Sequence, residues 1–147
     1  MDANGATSEL FQRIETSFLR QDMMQHLGVR LLRVEPGLCE LALPHSERVT
    51  QQQGGFHGGA MGSLADIAGG YAAMTVVGPD SEVTTVEYKI NFLAGFKGGE
   101  LRVIGRVVKA GKRIIVTTAE VTHVGLDGTQ TACALMQQTI VPVPKTY

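Results

Sequence analysis

The chain is poor in the features that most often announce a function. It has only two cysteines, Cys39 and Cys133, far apart and without a C-x-x-C spacing, so both thiols are expected to be free and structural. Charge of one sign is lacking too. Thirteen Lys and Arg stand against fourteen Asp and Glu, a net charge of −1, scattered along the chain. That leaves no extended basic face for nucleic acid and no polybasic run for a membrane. His26, His45 and His123 are singletons with no ligand spacing between them, so no metal site is expected. Internal repeats and low-complexity tracts are absent. The opening Met1-Asp2-Ala3-Asn4-Gly5 lacks the basic-then-apolar pattern of a signal peptide, which makes the cytoplasm the expected compartment.

What is there is one domain's worth of chain: 147 residues, 44% of them hydrophobic and 18% charged. Leu10, Phe11, Ile14, Phe18 and Leu19 recur at helical spacing behind Ser8, a plausible N-cap, and predict an amphipathic helix to about residue 20. A helical turn over 22–27 follows. Segments 29–34 and 38–43, joined by Glu35-Pro36-Gly37, read as two strands on a tight turn. Beyond a polar, glycine-rich loop, segment 60–77 is apolar except for Asp66 and reads as a helix stopped at Gly78-Pro79-Asp80. Its length approaches a membrane span, but Ala and Gly dominate it and no basic or aromatic flank accompanies it, so a helix buried in a globular protein is expected. Runs 82–93, 100–109, 113–124 and 130–141 read as strands whose short glycine-bearing links predict a consecutive antiparallel meander. The expected fold is α+β: a curved antiparallel sheet of five to six strands around one long helix, with an N-terminal helix in front.

The chemistry concentrates at that helix. His57-Gly58-Gly59 leads into it, and a helix start carries unpaired N–H groups that glycine lets a ligand approach. Such donors stabilise an oxyanion, as acyl transfer requires. Asp66, nine residues after His57, is a nucleophile or a base on water, and a thioester carbonyl would suit both groups. Gly58 and Asp66 are about 12 Å apart along a helix axis, too far for one carbonyl carbon. Two such helices, antiparallel across a two-fold axis, would pair each Gly58 with the other chain's Asp66. A plainer reading stays open: the glycines form only a turn, His57 is packed, and Asp66 is a buried carboxylate bonded to a neighbouring hydroxyl such as Ser63.

Gln51-x-x-Gly54-x-x-His57-Gly58-Gly59, then Leu64-x-Asp66, then Thr85-Val86-Glu87-Tyr88-Lys89-Ile90-Asn91-Phe92-Leu93 resemble the hotdog-fold acyl-CoA thioesterases of the phenylacetate-degradation (PaaI-like) type. The resemblance covers residues 27–141. It implies a homodimer, often a dimer of dimers, acting on an acyl-CoA or aroyl-CoA without a metal or other cofactor. By position it makes Gly58 the N–H donor to the carbonyl and Asp66 the nucleophile or general base from the opposite subunit. It makes His57 a group that positions the thioester or protonates the thiolate, Gln51 a neighbour of the carbonyl or water, and Thr85 a holder of that water. Phe56, Met61, Leu64, Phe92 and Phe96 are candidates to line an acyl or aroyl pocket, Gly59 is a further substrate-binding candidate, and Lys89, Lys97, Lys112 and Arg113 are candidates for the coenzyme A phosphates. Two departures stand out, Gln51 for Asn and Ala94-Gly95 where many relatives carry Arg-Pro or Ser-Pro; the second changes the loop near the expected ligand rim and keeps the substrate class from being carried over. The alternatives are a hotdog hydratase or dehydratase on 3-hydroxyacyl thioesters and a non-catalytic acyl-CoA binding module.

Overall fold

Alternation decides the second half of the chain. Leu101, Val103 and Gly105 are buried while Arg102, Ile104 and Arg106 face outward, and Ile115, Thr117, Ala119 and Val121 repeat the pattern one strand on. The computed structural model describes residues 3–147. It places α1 at Ala3–Leu19, α2 at Asp22–Leu27, β1 at Arg30–Glu35 and β2 at Leu38–Pro44. The long helix α3 is Gly58–Met74, followed by β3 at Ser81–Phe92, β4 at Glu100–Ala110, β5 at Ile115–Val124 and β6 at Gln130–Pro144. All pairings in the six-stranded sheet are antiparallel, in the order β1-β2-β4-β5-β6-β3. The α+β architecture is therefore the expected one, a curved sheet with α3 in its hollow and α1 at the side.

Three expectations need correction. The four late strands are not one consecutive meander: β4, β5 and β6 pair in turn, but β3 crosses over to pair with β6, so the 94–99 link is not a hairpin. Crossing over makes β3 an edge strand beside α3. Helix α1 starts at Ala3 instead of behind Ser8, so Ser8 lies within the helix and does not cap its start. Helix α3 ends at Met74, short of Gly78. There the Thr75 hydroxyl donates to Ala72 O at 2.6 Å and accepts from Gly37 N at 2.7 Å, which ties the helix end to the β1–β2 turn.

The core lies between α3 and the concave face of the sheet, with Leu41, Leu43, Leu64, Ala65, Ala68, Leu101, Val103 and Val121 essentially sealed. The helix backbone almost touches β4. A Cβ on Gly105 would stand 2.3 Å from Ala68 O, so glycine is required in mid-strand there. Helix α1 covers one flank with Ile14 and Phe18 buried, and Arg13 donates to Val77 O and Gly78 O at 3.1 and 3.0 Å. Both cysteines are free and buried, and burial pushes the Cys39 thiol up to about 12. Among the described residues no helix is long and apolar enough to cross a membrane.

Candidate active site

The start of α3 is set by a histidine cap. His57 is extended (φ −70°, ψ 137°) and its Nδ1 accepts the Gly59 N–H at 2.8 Å. That bond leaves the proton of a neutral ring on Nε2, at an exposed position. Ala60 and Met61 donate to His57 O at 3.0 and 3.1 Å. Among the described residues, the first-turn amide left without a partner is therefore that of Gly58. The Phe92 ring lies over it, 3.3 Å from where a Cβ on Gly58 would be, so a side chain there would meet the ring. The glycine-rich loop behind the cap is pinned: His57 N donates to Val49 O, Phe56 N to Phe96 O, and His45 Nε2 pairs with Gly54 O at 2.9 Å.

Two turns on, Asp66 is held by the chain that carries it. Its Oδ1 accepts from Thr85 Oγ1 at 2.8 Å and from Gln138 Nε2. Gln138 Nε2 also reaches Thr85 Oγ1 at 2.9 Å, and its Oε1 accepts from Thr117 Oγ1 at 2.8 Å. That last bond fixes which way the buried amide points. Thr117 and Gln138 are both 0% exposed, so the network is built into the core. Gly69 makes room for it, since a Cβ there would stand 2.1 Å from Gln138 Oε1. No bond among the described residues takes Asp66 Oδ2, and Asp66 and Thr85 line a cavity of about 340 Å³ between α1, α3 and β3. The Ser63 hydroxyl donates to Gly59 O at 2.8 Å, so Asp66 draws its partners from strands and not from its own helix.

The stretch of chain that carries these two features, a bare N–H at a glycine-entered helix start and a carboxylate two turns along held by a strand threonine, matches a known family. The profile described as Thioesterase superfamily matches residues 53–127, which span α3 to β5 with His57, Gly58, Asp66 and Thr85. The chain belongs to the thioesterase superfamily. A crystal structure of a thioesterase family protein from Silicibacter pomeroyi superposes with a TM-score of 0.89 at 35% identity, over 92% of this chain and 99% of that one. The E. coli PaaI protein of the phenylacetic acid degradation operon shares the fold, with a TM-score of 0.83 over 95% and 97% of the two chains at 20% identity. The 1,4-dihydroxy-2-naphthoyl-CoA hydrolase of Listeria monocytogenes is 28% identical over 100 residues, 68% of this chain and 81% of its own. As a member of this superfamily the protein is a thioester hydrolase with the hotdog fold.

The thioesterase fold brings some predicted residues together and disperses others. His57, Gly58 and Gly59 share the helix start, and Asp66 and Thr85 share the network. Gln51 lies in the preceding loop, with its side chain turned back so that Oε1 accepts Gln53 N. Phe56 and Met61, proposed for the acyl side, are core residues at 4% and 5% exposure, with Phe56 packed edge-on against His45. Lys89 points to the sheet face away from α3. Lys112 and Arg113 are exposed at the β4–β5 turn, near the C-terminal end of α3, whereas Lys97 reaches the loop at Gly54. Gln138, Thr117 and Gly69 were missed. An isolated glutamine in a late strand gives no signal of its own; only its burial beside a carboxylate does.

Proposed function

We propose that the protein hydrolyses acyl-CoA or aroyl-CoA thioesters in composite sites, each formed by Gly58 of one subunit and Asp66 of its partner in a homodimer that assembles further as a dimer of dimers. The observation that carries this reading is the separation of the two ready groups. Both sit on one helix, about 12 Å apart by its rise, so a single chain does not present them to one carbonyl. The free edge of β3, where Val86, Tyr88, Phe92 and Leu93 are 42–61% exposed, supports a second copy as the partner.

In this mechanism the Gly58 N–H donates to the thioester oxygen as it becomes negative. Asp66 Oδ2 either attacks the carbonyl carbon, giving an anhydride that water then cleaves, or takes a proton from water that attacks directly. Thr85 and Gln138 keep the carboxylate aimed by occupying Oδ1. The C–S bond breaks, and His57 Nε2–H, exposed beside Gly58, donates to the departing thiolate. No metal or redox cofactor enters. Lys97, beside the glycine loop, is the basic side chain best placed for a coenzyme A phosphate.

The test is thiol release from a panel of acyl-CoA thioesters, followed by subunit mixing. Asp66→Asn and Gly58→Pro should each be nearly inactive alone. Proline's backbone suits this position, since it is the first of the helix and His57 already has the extended conformation that precedes proline, while its ring meets the half-exposed Phe92 side chain, which must turn aside. Refolded together, the two variants should regain activity, because a mixed dimer holds one intact Gly58–Asp66 pair. Mixtures no more active than their components would sink the shared site.

A further inference from the structure

His123 on β5 is a buried histidine, 6% exposed, that the hydrolytic steps leave unused. A polar ring in the core needs a partner, and its Nε2–H donates to Gly98 O at 2.9 Å. The Phe96 ring stacks on its face, with centroids 4.2 Å apart and planes 4° from parallel. Both partners belong to the 94–99 link. Two more rings extend the stack: Phe56 meets His123 edge-on at 6.2 Å and His45 at 5.0 Å, and His45 Nε2–H donates to Gly54 O at 2.9 Å. Four rings thus join β5, the link, the glycine loop and the residue that follows β2.

The link has little means of holding itself. Three of its six residues, Gly95, Gly98 and Gly99, are glycine, and the last two have φ of +67° and +63°. It lies on the glycine loop all the same. Phe96 O accepts from Phe56 N at 3.0 Å and would stand 3.1 Å from a Cβ on Gly55, and Gly99 O accepts from His45 N at 3.0 Å. Between those two points, the hydrogen bond that fastens the link among the described residues is that of His123 to Gly98 O. Lys97 sits at the fastened stretch, flanked by the stacked Phe96 and the bonded Gly98, exposed, with Nζ 3.9 Å from where a Cβ on Gly54 would be. The position of the one charge on the link is therefore set by a side chain of β5, 26 residues on.

We propose that His123 is a positioning residue: through Phe96 and Gly98 O it holds the link on the glycine loop, and so fixes where Lys97 meets the phosphates of the thiol carrier. The charge that recognises the carrier is then placed by the same ring stack that contains Phe56, next to the cap of α3, and carrier and carbonyl are held in one rigid frame. This rests on the coenzyme A reading of the site, and the experiment separates the two.

The quantity to measure is the ratio of kcat/KM on benzoyl-CoA to that on S-benzoylpantetheine, which has the same acyl group and arm but no phosphate. Lys97→Ala should lower this ratio about fivefold, the loss lying in KM for benzoyl-CoA. His123→Phe, which keeps a ring for the stack but has no donor for Gly98 O, should lower it about threefold, and so should Phe96→Leu, which keeps the donor but not the stack. Because His123 acts through Lys97, the double variant Lys97→Ala/His123→Phe should have a ratio no lower than Lys97→Ala alone. A role in packing only would slow both thioesters alike and leave the ratio where it was. A ratio kept in His123→Phe, or one that drops again in the double variant, overturns the proposal; should His123→Phe not fold, Phe96→Leu, altered at the partly exposed link, decides by the same ratio. If neither thioester is hydrolysed, the hydrolytic reading falls, and the calorimetric Kd of coenzyme A itself decides the positioning role. Weaker binding in His123→Phe that vanishes in the Lys97→Ala background upholds it, and an affinity equal to that of the wild type overturns it.

Discussion

The two ends of the stretch of α3 from Gly58 to Asp66 are built on opposite plans. At Gly58 the chain leaves a donor bare, at a glycine beside an exposed histidine, with Phe92 half exposed above it. At Asp66 it spends two buried side chains, Thr117 and Gln138, plus Thr85 and an enforced glycine at 69, to fix one carboxylate oxygen. A donor that belongs to the backbone of a capped helix needs no other support, because the helix itself is the rigid body. A side-chain carboxylate has rotamers to lose and must be held from outside. In the proposed mechanism the bare end is where a second molecule has to arrive, and the networked end is where chemistry has to be aimed.

Each end can be broken separately, and the carboxylate end should fail hardest. Asp66→Asn keeps the shape of the side chain but removes its charge, and kcat on the best thioester should fall by about 10²–10⁴-fold. Circular dichroism and the melting temperature should stay close to the wild type, since an amide oxygen still accepts from Thr85 and Gln138. Gly58→Pro removes the N–H and brings its ring against Phe92, and the loss should be at least about 10²–10³-fold, the usual cost of one oxyanion donor. A Gly58→Pro enzyme with wild-type kcat would show that the bare amide is not the carbonyl donor.

Gln138→Leu makes the networked end resemble the bare one. The carboxylate keeps Thr85 but loses its amide donor, and Thr117 is left buried without its acceptor, at a cost of about 1–3 kcal/mol in stability. Gln138 acts through Asp66, so kcat should drop by about tenfold with KM little changed, and Gln138→Glu should shift the pH–rate profile as no packing defect would. An unaltered pH profile in Gln138→Glu would reduce Gln138 to a core residue.

The difference between the two ends also explains what could be read from the sequence. The helix start was legible because its signal is local: His57, Gly58 and Gly59 are neighbours in the chain and lead straight into an apolar helix. Asp66 was legible as an isolated charge, and Thr85 through its place in a motif. Gln138 and Thr117 were not, because they come within reach of Asp66 only after β6 pairs with both β5 and β3, which separations of 72 and 51 residues along the chain do not disclose. The same crossover defeated the meander: the 94–99 link has the composition of a hairpin, and only the closing of the sheet shows that it carries the chain past β6 and β5 instead. The strand boundaries came out within three residues, since alternation of buried and exposed side chains is itself a local signal.

Adjacent glycines give the finest test of the contrast, because they differ only in the face of α3 they occupy. A Cβ on Gly69 would press on Gln138 Oε1 at 2.1 Å and on Thr117 Oγ1 at 2.7 Å, whereas a Cβ on Gly70 would enter open space. Gly70→Ala should therefore gain most of the helix-propensity difference, about 1 kcal/mol, or a rise of roughly 4 °C in Tm for a domain of this size. Gly69→Ala gains the same propensity but must displace the amide that fixes Asp66, so its Tm should fall while kcat drops with it. Thermal melts of the two single variants suffice to check the pair. Equal shifts of the same sign would mean that the network gives way to a methyl group without resistance, and that the carboxylate end is as loosely held as the helix start.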